Sequence, residues 1–227
     1  MTERTATEAP PIALTTAEER ELQKAAVTRL GQELRSLVEA TVRTAATPDT
    51  LHRVADGVRH LTGRLTGRRR ARAEIPEVDE FPAGARMYSP VVGPGSPLAP
   101  PVVVTPTEDG LLGRCTLGIA HEGPPGYGHG GMSAMLLDEL MGRACAVAGT
   151  PGLTVSLEVR YRRPVPLETP LRITARVTVT DHRKVHVTGS ITTETDPATE
   201  LATGQGVFVA LDPERARALF PGLRTEG

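Results

Sequence analysis

The sequence predicts an α+β protein in which a curved antiparallel sheet encloses one buried helix, with helices ahead of it. Three observations carry this. The hydrophobic period changes from helical to alternating near residue 102, a nearly all-apolar helix occupies 131–149, and four alternating strands follow residue 152. The expected division is a helical N-terminal extension at 1–75, a Pro/Gly-rich linker at 76–101, the sheet domain at 102–213 and a C-terminal tail at 214–227.

In the extension, residues 16–70 read as helical, because Leu22, Ala26, Leu30, Leu34, Leu37 and Val42 recur at spacings of three to five and form an amphipathic stripe. Thr16 ahead of acidic residues is the expected N-cap, and Pro48 separates this helix from a second at 49–65, giving a helical hairpin. The basic run that follows, GRLTGRRRARAE, reads as a solvated helix end. The linker holds six prolines between Phe81 and Pro101, so it lacks amide donors and is read as a linker or an irregular covering loop.

Past residue 102 the period is two. Leu111, Gly113, Cys115, Leu117 and Ile119 alternate with polar or opposing positions, and Leu153, Val155, Leu157, Val159 and Tyr161 oppose Thr154, Ser156, Glu158 and Arg160. Tyr161 is thereby expected to pack with the apolar face. Leu171 to Val179, Val185 to Ile191 and Ala202 to Leu211 continue the pattern as an antiparallel meander. The helix between the first strands and this run has almost no polar face, so a sheet must wrap it. One strand or hairpin, one buried helix and four antiparallel strands is the element order of the hotdog fold.

Composition excludes several functions. A chain with 39% hydrophobic and 23% charged residues is globular, and no apolar run reaches the ~18 residues that membrane insertion needs. MTERTATEAP lacks the basic and apolar regions of a secretory signal, which implies a cytoplasmic protein. A net charge of −1 gives no pull toward nucleic acid. Cys115 and Cys145 sit in no CxxC or Cys/His cluster and the six histidines lack metal spacing, so neither a disulfide nor a metal site is expected.

The chemistry is sought on the apolar helix. Glu139 and Arg143 are four apart with the acid first and can satisfy each other. Asp138 has Met135 and Met141 three away and Ala134 and Gly142 four away, so no helical neighbour neutralises it. It is desolvated unless a partner arrives from elsewhere, which marks it as a candidate catalytic acid. Ahead of it, EGPPGYGHGG opens the helix with glycines at 126, 128, 130 and 131, where free amides and the helix dipole suit an oxyanion or phosphate. GxGxxG at 126–131 also matches a dinucleotide fingerprint, but the strand-after-strand order that follows lacks the required parallel βαβ unit.

HGGMSAMLLDELMG, LTVSLEVRYRRPVPLE and GQGVFVALDP resemble the hotdog thioesterases of the phenylacetic-acid-pathway and thioesterase-superfamily-member groups, within the 4-hydroxybenzoyl-CoA thioesterase superfamily, over about residues 100–213. The resemblance implies hydrolysis of acyl-CoA thioesters without a cofactor. It implies that His129, Gly130 and Gly131 form the turn that opens the central helix, with the Gly130 amide as oxyanion donor, and that Asp138 activates water or attacks the thioester. Thr154 is the hydroxyl of the next strand, and Arg160, Arg162, Arg183 and Lys184 stand where the family contacts CoA. Where many members carry Asn or Gln before the turn, this chain has His121, Glu122 and Gly123. The implied assembly is a homodimer or dimer of dimers with sites shared between chains. The separation agrees, since Gly130 and Asp138 are eight residues and ~12 Å apart along one helix. Two other functions share the fold. A hydratase or dehydratase needs a paired Asp and His that no residues after the turn supply, and an acyl-CoA sensor has no need of an unpaired acid beside a glycine turn.

Overall fold

The computed structural model describes residues 16–67, 69–72, 74–80, 84, 86–210, 212, 214, 215 and 218. The N-terminal decapeptide behind the cytoplasmic reading lies outside them, as do Leu211 and most of the expected tail.

Helix α1 spans Ala17–Arg43, and Thr16 caps it in a full capping box with Glu19. Helix α2 spans Pro48–Gly63, with Thr47 at its N-cap and proline in its first turn, where the missing N–H costs nothing. The two do not form the expected hairpin. No residue of α2 is buried, and Leu51, Val54, Val58 and Leu61 lie exposed along one face.

The face that α1 docks also differs from the leucine stripe. Leu22 is 66% exposed and Leu30 45%, whereas Val27 and Gly31 are buried. Gly31 decides the choice: a Cβ there would stand 2.4 Å from the Pro94 carbonyl oxygen, so only glycine lets the helix close on this backbone. Arg35, one turn on, donates to the carbonyls of Pro94 and Ser96 at 2.8 Å each. Segment 86–102 is therefore a covering loop and not a free linker, with Met87, Val91 and Ala99 buried and Val91 part of the main core.

The sheet contains β1 (Val103–Thr107), β2 (Gly110–Thr116), β3 (Gly152–Tyr161), β4 (Pro170–Asp181), β5 (Lys184–Thr193) and β6 (Ala202–Ala210), all antiparallel in the order β1-β2-β4-β5-β6-β3. The expected meander is thus interrupted. β3 crosses over to pair with β6 at the far edge, and Pro164 and Pro166 in the connection cannot donate to a continued ladder. Helix α3 (Gly130–Val147) lies in the concave face, with Leu136, Leu137, Leu140, Met141 and Cys145 fully buried. Gly189 and Gly204 on β5 and β6 admit it: Cβ atoms at these positions would meet Leu137 Cδ2 at 3.1 Å and Met141 Cε at 3.1 Å. Sheet and helix share one core with Leu171, Ile173, Val187, Ile191 and Phe208. Among the described residues, no helix is long and apolar enough to cross a membrane.

Candidate active site

The amino end of α3 is held from three sides. His129 is its N-cap, and the ring Nδ1 accepts the Gly131 N–H at 3.0 Å. That bond fixes the neutral tautomer with hydrogen on Nε2. The His129 N–H donates to the His121 carbonyl at 2.9 Å, tying the turn to the short 3-10 turn at Ile119–His121. With Gly131 occupied by His129, the Gly130 N–H is left without an acceptor among the described residues, at the positive end of the helix.

Behind the 3-10 turn stands α1. Glu39 accepts the amides of Ile119 and Ala120 at 3.3 Å each and pairs with Arg43 at 2.7 Å; Arg43 also pairs with Glu168. Burial pushes the Glu39 carboxyl up, but the Arg43 hydrogen bond and the two amides outweigh it and hold the group below its ordinary range. The extension therefore acts as a brace for the loop that carries His121. Sequence carried no signal for this, because Glu39 caps amides 80 positions away.

Asp138 lies two turns along α3, half-buried, and its Oδ1 accepts a hydrogen bond from the Thr154 hydroxyl at 2.9 Å. The partner missing from the helix thus comes from β3. Simple alternation would put Thr154 on the face opposite Leu157 and Val159. The register slips between Thr154 and Ser156, leaving Val155 unpaired, so Thr154 faces Phe208 just as Leu157 faces Gly206 and Val159 faces Gly204. A bulge of this kind re-aims every side chain on one side of it. It also removes Leu153 and Val155 from the core face they were expected to occupy, and both are exposed, at 42% and 60%.

Tyr161 differs from expectation as well. It is 58% exposed and not packed into the core, and its hydroxyl donates to the Gly130 carbonyl at 3.1 Å. Its ring comes within 3.4 Å of where a Gly130 Cβ would be. Glu139 and Arg143 form the expected helical pair, at 2.8 Å.

The basic residues fall into two groups. Arg160 pairs with Glu158 and Arg162 with Glu200, and both line a groove of about 550 Å³ on the helix-distal face, floored by Thr174, Ser190 and Thr203. Arg183 and Lys184 sit at the β4–β5 turn, where Arg183 bonds the Ala210 carbonyl and Asp212. Within one chain these groups are at opposite ends of β3, so the structure does not bring the four together. Cys115 and Cys145 face the core, and burial pushes their thiols up to about 12 and about 11. No group of three or more His, Cys, Asp or Glu able to hold a metal occurs among the described residues.

An antiparallel sheet closed round one glycine-led helix defines a hotdog-fold protein. The Thioesterase superfamily model matches residues 125–199. A solved thioesterase superfamily protein aligns at 36% identity with a TM-score of 0.69, covering 81% of this chain and 94% of its own. Acyl-coenzyme A thioesterase THEM4 of Mus musculus is 30% identical over 98 residues, 43% of this chain and 42% of its own length. THEM5 of Homo sapiens is 30% identical over 93 residues, 41% and 37% respectively. On the solved relative's coverage, this chain belongs to the thioesterase superfamily. It spans less than half the length of the curated relatives it matches.

Proposed function

We propose that the chain hydrolyses acyl-CoA thioesters to the carboxylic acid and CoA. The observation that carries the reading is the Asp138–Thr154 hydrogen bond, which holds half-buried the one charged side chain of α3 that is outside the Glu139–Arg143 ion pair. The relatives named acyl-coenzyme A thioesterase support the substrate class. In the mechanism the thioester carbonyl oxygen takes the free Gly130 N–H, where the amide and the helix dipole favour the charge that develops on tetrahedral attack. Asp138 accepts a proton from water as the water adds to the carbonyl, or its oxygen adds directly and water then cleaves the mixed anhydride. CoA leaves as the thiolate when the tetrahedral centre collapses. Thr154 orients the carboxylate throughout.

One chain does not complete this site, and the active unit we infer is a homodimer or a dimer of dimers. Of the two sheet edges, β1 is short and carries Pro106, a feature that blocks pairing, whereas β3 is ten residues long, without proline, and exposes Leu153 and Val155. Two-fold antiparallel pairing of β3 with its copy, centred on Glu158 and keeping the bulge at Val155, sets Thr154 of one chain opposite Tyr161 of the other. The Asp138–Thr154 end then meets the Gly130–Tyr161 end of the partner subunit, and both groups of basic residues converge on the joint. The same pairing explains why an apolar strand is left uncovered. A CoA-release assay over acyl-CoAs of graded length, on wild type and Asp138→Asn, tests the activity. Release by wild type alone supports it, and no release from any acyl-CoA contradicts it.

A further inference from the structure

Tyr161 belongs to no part of the reaction described so far, yet it is the side chain that touches the proposed oxyanion donor. The residue sits on the helix-facing side of β3, opposite Ala202, where the other large core-facing side chains of the sheet are buried or half-buried; Tyr161 alone keeps more than half its surface in solvent. Its hydroxyl donates to the Gly130 carbonyl at 3.1 Å, and the ring edge runs against Gly130, with Cε1, Cζ and the hydroxyl oxygen 3.4, 3.5 and 3.6 Å from the position of an added Cβ. The Gly130 carbonyl belongs to the first turn of α3, so this bond anchors the helix end to the edge strand. On the other side of the same residue, His129 takes the Gly131 N–H. Two glycines in a row give the backbone freedom that only such outside contacts remove.

Resting on the thioesterase reading, we propose that Tyr161 is a positioning residue. Together with His129 it clamps the Gly130–Gly131 peptide, so that the Gly130 N–H is the one amide of the turn aimed at the thioester oxygen, and its ring walls the site beside that amide. Pre-set donors are worth most when they need not reorganise during reaction, and loss of one oxyanion donor costs about 10²–10³-fold in turnover. Loosening a donor without removing it costs less, on the order of 10-fold.

The test compares wild type, Tyr161→Phe and Tyr161→Ala by kcat and KM on the best acyl-CoA, and by hydrogen exchange of the peptide amides covering 128–134. Tyr161→Phe keeps the ring and loses the anchor: kcat falls about 10-fold, KM holds within about 2-fold, the pH profile keeps its shape and the amides at 130–132 exchange faster. Tyr161→Ala loses the wall too, so KM also rises, and the difference between the variants reads the ring separately. Wild-type kcat and unchanged exchange in Tyr161→Phe overturn the proposal while leaving the thioesterase reading intact. A wild type without CoA release overturns that reading, and the exchange data then still decide whether Tyr161 anchors the turn. A large loss of kcat with unchanged exchange at 130–132 also overturns the clamp.

Discussion

The Thr154 hydroxyl reaches the Asp138 carboxylate at 2.9 Å because β3 carries one unpaired residue, Val155, immediately after it. A strand of ideal period would turn Thr154 to the opposite face. The bulge therefore does the aiming, and the predictions begin there.

Deleting Val155 removes the unpaired residue, so Thr154 keeps its place opposite Phe208 and, in plain alternation with Ser156 and Leu157, its helix-facing direction. The deletion variant should fold, by circular dichroism and size, and retain more turnover than Thr154→Ala. Turnover no better than that of Thr154→Ala would show that the facing of Thr154 is not what the bulge supplies.

Asp138→Asn keeps the side-chain volume and the Thr154 hydrogen bond while removing both base and nucleophile. Turnover should fall by at least ~100-fold without loss of the fold. Thr154→Ala should cost less, since an orienting hydroxyl contributes less than the reacting group. If the order of the two effects is reversed in steady-state kinetics, the roles assigned to them are wrong.

Glu39 couples the extension to the site loop, and its charge gives that coupling a pH dependence. The folded carboxyl lies below its ordinary value of 4.5, so the stabilisation is fully present above that value and is lost as pH falls through the lower, folded value. Hydrogen exchange in 117–123 should stay slow from pH 7 down to the ordinary carboxylate range and then rise. Glu39→Gln should show the faster exchange at neutral pH already. Equal protection in the two proteins at pH 7 would mean that the amides are held by something else.

Burial pushes the thiols of Cys115 and Cys145 up to about 12 and about 11, so almost no thiolate exists at pH 8. A disulfide reagent at that pH should label the native protein slowly and the denatured protein at both cysteines at once. Fast labelling of the native chain would show that one of them is open to solvent.

Much of this was legible in the sequence. The largely apolar α3 and the period-two strands announced the sheet-and-helix core, and the HGG turn with Asp138 nine residues after its histidine pointed to the candidate site. What stayed hidden depends on tertiary contacts. Alternation in β3 predicted the face of Leu157 and Val159 correctly and that of Thr154 wrongly, because a bulge leaves no mark in a pattern of single residues. The leucines of α1 formed the stronger stripe, yet Gly31 and Arg35 chose the docked face, since close backbone approach outweighed apolar area there. The position of β3 beside β6 was equally unreadable, for strand order across a crossover follows from which edges the helix leaves free.

The central claim is that Asp138 of one chain and Gly130 of the other serve the same thioester. Complementation measures it directly: Asp138→Asn protein is mixed with protein disrupted at Gly130, each inactive alone, under conditions shown by mass spectrometry to exchange subunits. In a heterodimer one of the two sites inherits both intact groups, so CoA release should return to roughly a quarter of the wild-type rate in an equimolar mixture, half the dimers being mixed and each carrying one good site. No recovered activity, with both parents folded and exchange confirmed, would contradict the shared site.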